Sequence, residues 1–180
     1  MICLEEYDVN RNHLSPRLPS ADEGVRLRVL CLGNDSLADD ALGPEVARQL
    51  QQYGAPDVEI VDTPASGLSL LEHMLDAEHL VVVDTIQTAG GSVGTVRQFH
   101  DRDMRTPQGG SPHYVGIFEA LKMARQLGLP VADDVLIVAV EAADCLTFGG
   151  AMCEAVRAAI PEVVRKVAAA IAARAGLEPD

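Results

Sequence analysis

The sequence predicts an α/β fold in which a mostly parallel sheet is covered on both faces by helices. Two observations carry that prediction. Short β-branched runs alternate with segments of helical spacing along the chain. The central runs VLCL (29–32), LVVV (80–83) and VLIVAV (135–140) are continuously apolar, as strands buried on both faces require. A chain of 180 residues supports one such domain with a full core and is too short for two comfortable ones.

Residues 1–22 are polar, proline-interrupted and non-periodic, and are expected to form a flexible N-terminal tail before a single domain over 23–180. VRLRVLCLG (25–33) reads as a strand, alternating at first and then continuously apolar. GPEVARQLQQY (43–53) has helical spacing at Val46, Leu50 and Tyr53, with Pro44 suited to a first turn. VEIVD (58–62) is a short strand, and GLSLLEHML (67–75) is a helix with Ser66 placed to cap it. HLVVVDT (79–85) is a buried strand. AGGSVG (89–94) turns the chain into a further strand, TVRQF (95–99). Within SPHYVGIFEALKMARQLG (111–128) a loop passes into a helix that stops at Gly128. DVLIVAV (134–140) is the last central strand, and the Ala/Val-rich stretch from 150 to 175 a long helix.

Composition narrows the partners. The 27 acidic residues against 14 Lys and Arg give a net charge of −13, which repels phosphate backbones and anionic lipid. Nucleic acid and membrane are therefore not expected as partners. The charge suits metal ions or a basic patch on another protein, and solubility alone also accounts for it. No run approaches the roughly 18 apolar residues of a membrane helix. The opening MICLEEYDVNRNHLSPRLPS has neither a signal peptide's apolar segment nor a transit peptide's basic character, so a cytoplasmic protein is expected. The four cysteines form no C-x-x-C pair, which argues against disulfides and a cysteine zinc site.

Ligands of open α/β sheets bind at the carboxyl ends of the strands. Polar residues at such positions are Asn34, Asp35, Asp39 and Asp40 after the first strand, Asp84 closing LVVV, and His113 just before a helix. Asp40, Asp84 and His113 together offer two oxygens and one nitrogen, a donor set suited to nickel or zinc with open positions. Blander roles exist for each. Asp39 or Asp40 could cap the following helix, Asp84 the next turn, and His113 could be a loop histidine. His13, His73, His79 and His100 read as surface or packing residues. Gly33-Asn34 follows a strand, but neither G-x-G-x-x-G nor a Walker lysine is present, so no nucleotide is expected. No serine has a G-x-S-x-G context.

GNDSLADDALGPEVARQL (33–50) resembles the G-N-x-x-x-x-D-[DE]-x-x-G signature of the hydrogenase maturation endopeptidases. LVVVDT (80–85) and SPHYVGIFEAL (111–121) are similar to that family's second acidic strand end and S-x-H-x-x-G motif, in the same order. The resemblance implies a three-layer α/β/α sandwich around a small, twisted sheet. It implies an enzyme that removes a C-terminal peptide from the large-subunit precursor of a nickel-iron hydrogenase after nickel insertion. Its metal contacts fall on Asp40, Asp84 and His113, with the nickel presented by the substrate. Gly33, Asn34, Asp39 and Thr85 are expected around them as substrate contacts or supports. A nickel-binding chaperone without enzymatic activity is the alternative, and a nucleotide-binding or small-molecule hydrolase on a Rossmann-like sheet a further one. Three features depart from the family pattern: Asp40 where glutamate is common, DTPASG (62–67) with its stiffening proline, and VEAADCLTFGG (140–150) after the last strand, where Glu141 and Asp144 are candidates for a missing acidic feature.

Overall fold

A computed structural model of the chain describes residues 25–53, 57–103 and 112–175, so the tail expected at 1–22 lies outside the described residues. The elements are β1 (Val25–Leu32), α1 (Leu42–Leu50), β2 (Val58–Thr63), α2 (Leu71–Met74), β3 (Ala77–Ile86), β4 (Val96–His100), α3 (Pro112–Gln126), β5 (Val135–Glu141) and α4 (Glu154–Ala175). Each strand and helix expected from the sequence is present, with small shifts at the ends.

The five strands lie in the order β2-β1-β3-β5-β4. β1 pairs in parallel with β2 and β3, β3 in parallel with β5, and β4 alone runs antiparallel at the edge. The three central strands bury both faces, and this is why their sequences are continuously apolar. Residues of opposite parity feed two cores. Val29 and Cys31, Val81 and Val83, and Val138 and Val140 pack with α1 and α4. Leu30 and Leu32, Leu80 and Val82, and Ile137 and Ala139 pack with Leu70 and Met74 and with Ile117 and Leu121 of α3. Helices, sheet and helices form the three-layer sandwich. Cys31 is fully buried, and burial, with a smaller push from Asp62, raises its thiol to about 12. It packs as a small hydrophobe.

From β1 the chain moves outward to β2 and then crosses back to β3 on the other side of β1. The carboxyl ends of β1 and β3 therefore flank the topological switch point, where α/β sheets open a crevice. Two local differences from expectation bear on this edge. β3 runs two residues beyond Asp84 to Ile86. The segment after β2 starts as a 3-10 turn (Gly67–Leu70) before the single α-turn of α2, because Ser69 Oγ accepts the Ser66 N–H at 3.2 Å and donates to the Ser66 carbonyl at 2.7 Å.

Candidate active site

The loop from β1 to α1 is folded tightly against the strand it leaves. A Cβ at Gly43 would run into the Leu32 carbonyl oxygen, and one at Gly33 into the carbonyl oxygen of Asp40. Gly33 also has φ 149°, a conformation side-chain-bearing residues rarely adopt. The glycines of the opening motif are thus the places where backbone meets backbone. Asn34 makes the turn between them. Its Oδ1 accepts the Ser36 N–H at 2.9 Å, and its carbonyl accepts the Leu37 N–H at 3.0 Å.

Asp39 has a role that sequence reasoning assigned only in outline. α1 begins at Leu42 without a side-chain cap, so the capping reading does not hold for the helix. Asp39 instead points across to the segment after β5. Its carboxylate, 1% exposed, accepts the N–H groups of Ala143 at 2.8 Å, Asp144 at 2.9 Å and Cys153 at 2.6 Å. Main-chain bonds reinforce the pairing: Asp39 N–H to the Asp144 carbonyl at 2.8 Å and Ala38 N–H to the Thr147 carbonyl at 3.1 Å. Asp39→Asn would present an amide N–H to at least one of these amides. It is expected to lower unfolding stability by about 3 kcal/mol, read as an earlier urea midpoint. An unchanged midpoint would show that Asp39 does not hold the two loops together.

With Asp39 turned away, its neighbour Asp40 points inward. Asp40 is 3% exposed and Asp84 fully buried, and Thr85 links them. The Thr85 hydroxyl lies 3.4 Å from Asp40 Oδ1, and the Thr85 N–H donates to Asp84 Oδ1 at 2.7 Å. Cys145 Sγ sits 3.4 Å from the same hydroxyl. Burial pushes the Cys145 thiol up to about 11; the Thr85 hydrogen bond opposes this, and the carboxylates Asp40, Asp39 and Asp84 add to it. Cys145 was missed in the sequence because it lacks a C-x-x-C partner. Its one signal was position, in the loop directly after the last central strand.

By strand alternation Asp84 shares its parity with Leu80, Val82 and Ile86, on the sheet face covered by α3. The beginning of α3 lies at this same edge, since a Cβ at Gly116 would come within 2.6 Å of the Gly67 amide nitrogen. His113 is the second residue of that helix, and its side chain lies outside the described residues. Among the described residues, no group of three or more His, Cys, Asp and Glu side chains is arranged to hold a metal ion. The carboxylates of Asp40 and Asp84, buried at this edge, are hard oxygen groups in chemical type.

The two acidic residues considered for the family's missing feature are otherwise engaged. Glu141, 2% exposed, accepts from Thr88 Oγ1 at 2.6 Å, the Thr88 N–H at 3.1 Å and Arg97 Nε at 2.9 Å, which ties it to the β4 edge. Asp144 is held below the usual carboxylate value by the Thr147 hydroxyl and by the Leu146 and Thr147 amides it caps.

The profile of the hydrogenase maturation protease family matches residues 44–170. The chain belongs to that family. The matched span contains Asp84 and His113 and begins just after Gly33, Asn34, Asp39 and Asp40. The protease is similar to hydrogenase 2 maturation protease from Escherichia coli (strain K12), 33% identical over 108 residues, 58% of this chain and 66% of that relative's length. It is 30% identical over 151 residues to the hydrogenase expression/formation protein HupM of Azotobacter chroococcum mcd 1, covering 81% of this chain and 71% of the relative. Among solved structures, the hydrogenase maturating endopeptidase HybD from E. coli superposes with a TM-score of 0.70 at 28% identity, over 81% of this chain and 91% of that one. The solution structure of an endopeptidase from Escherichia coli gives 0.71 at 28% identity, over 85% and 95%. The protein is therefore a peptidase of the hydrogenase maturation class. No helix among its described residues is long and apolar enough to cross a membrane.

Proposed function

We propose that this protease removes the C-terminal extension of a nickel-iron hydrogenase large-subunit precursor after nickel has been inserted, in the cytoplasm. The nickel arrives as part of the substrate, held by the substrate's cysteines, and Asp40, Asp84 and His113 complete its coordination. The observation that carries this reading is that two carboxylates, Asp40 and Asp84, are buried at the switch point of the sheet, Asp40 against the Thr85 hydroxyl and Asp84 against the Thr85 N–H. Carboxylates buried at a sheet edge are favourable neighbours for a cation. A cation supplied only by nickel-loaded precursor makes the site complete only when the correct substrate is present.

In this reading Thr85 orients Asp40, Asp39 locks the loop so that Asp40 faces inward, and Gly33 and Asn34 give that loop its shape. The bound nickel sets the position of the adjoining peptide bond, and it can also polarise a carbonyl or a water as a Lewis acid. The test is incubation of the purified protein with nickel-loaded and with nickel-free precursor, read by intact mass. Loss of a C-terminal peptide from the nickel-loaded form alone is the expected result. Equal cleavage of both forms would overturn the nickel requirement. Stable binding with no mass change would make the protein a chaperone.

A further inference from the structure

Single apolar side chains in water are ordinary on a folded chain, whereas several displayed together on one edge mark a surface that another molecule covers. Seven are exposed among the described residues, and four of them, Leu68, Val93, Leu146 and Phe148, lie on loops at the carboxyl edge of the sheet. Leu146 and Phe148 are the most exposed of the seven, at 75% and 81%. They are two residues apart on either side of Thr147, whose carbonyl accepts the Ala38 N–H, and Phe148 forms a β-bridge with Leu37.

The exposure is built in. The segment carrying both residues is held by the Asp39 carboxylate, by the Asp144 cap on Leu146 and Thr147, and by the Gly149 N–H bonded to the Ser36 carbonyl at 2.7 Å. Polar bonds thus hold a two-stranded lip rigid while it displays apolar side chains. Such preorganised anchors bind without first losing conformational freedom. The lip is also continuous with the candidate site. Leu146 directly follows Cys145, whose sulfur lies 3.4 Å from the Thr85 hydroxyl that also meets Asp40.

We infer that Leu146 and Phe148 form a docking lip for an apolar segment of the substrate polypeptide, the hydrogenase precursor. The inference rests on the function proposed above. A peptidase must lay its substrate across the loops that carry its site, and the lip is the apolar part of those loops. Leu68, in the 3-10 turn after β2, and Val93, in the loop after β3, are further exposed apolar residues at the carboxyl edge.

The test compares Leu146→Ser/Phe148→Ser with Met123→Ser/Leu127→Ser, a pair of exposed apolar residues in the second half of α3 and just beyond it, far along the helix from its carboxyl-edge start. Affinity for nickel-loaded precursor is measured by calorimetry, cleavage by intact mass, and self-association by sedimentation of each protein alone. The lip variant is expected to bind precursor about tenfold or more weakly, with the loss of cleavage appearing in KM, while the α3 variant matches wild type. Equal affinity of the lip variant and wild type would overturn the docking lip while leaving the proposed cleavage in place. Wild-type binding without cleavage would overturn the proposed function, and the lip would then stand or fall on the affinities. A wild-type dimer dispersed by the lip substitutions would make a second copy the occupant and overturn the precursor. Absence of any wild-type binding overturns both.

Discussion

Asp40→Asn is expected to leave the fold intact and to slow cleavage of nickel-loaded precursor by about 100-fold or more, the loss that follows when about 3 kcal/mol of interaction with a divalent ion is withdrawn. Asparagine has nearly the size of aspartate and keeps an oxygen that can accept from Thr85, now 3.4 Å from Asp40 Oδ1. What it removes is the charge. An internal check comes from Cys145, whose thiol is raised to about 11 by burial first and by Asp40 among its neighbouring carboxylates. A nearby negative charge disfavours the thiolate, so neutralising Asp40 lowers the Cys145 value. Alkylation of Cys145 in the variant should therefore begin at lower pH than in wild type. Cleavage at the wild-type rate would remove Asp40 from the site. Slow cleavage with an unaltered Cys145 would mean that the two side chains do not face one another.

The fold was legible because the strands that carry it are buried on both faces and so are apolar without interruption. VLCL, LVVV and VLIVAV carry that pattern, and the antiparallel edge strand β4 lacks it for the same physical reason: its residues are half-buried or exposed and its pattern is mixed. The candidate site was legible as far as position goes, since a polar residue closing an apolar strand stands out against its neighbours. Asp84 is the clear instance. Direction was legible only through the family resemblance, which put Asp40 in the site and Asp39 beside it. Asp39 and Asp40 are adjacent and chemically identical, yet one faces the segment after β5 and the other faces Thr85. Nothing local decides between them; residues more than a hundred positions away do, through the amides of Ala143, Asp144 and Cys153. Cys145 and the lip at Leu146 and Phe148 escaped notice on the same ground. Their significance comes from pairing with the first loop, a contact between distant parts of the chain.

Gly33→Ala is expected to be the most damaging single-methyl change at the site, lowering stability by about 4 kcal/mol from the sum of backbone strain and collision. For a domain of this length that is a fall in Tm of about 10 °C. The two contributions can be separated because other glycines carry one without the other. Gly90 has φ 80° with nothing within 4 Å of an added Cβ, so Gly90→Ala reports strain alone, about 1 kcal/mol. Gly43 has no positive φ, but its added Cβ would meet the Leu32 carbonyl oxygen, so Gly43→Ala reports collision alone. At Gly33 the atom struck is the carbonyl oxygen of Asp40 itself. Relieving that clash moves the Asp40 backbone, so precursor cleavage should fall by more than the lost stability accounts for, even at temperatures where the variant is fully folded. If Gly33→Ala costs no more than Gly90→Ala and cleaves normally, then Gly33 does not set the position of Asp40, and the tight loop is not what aims its carboxylate at the switch point.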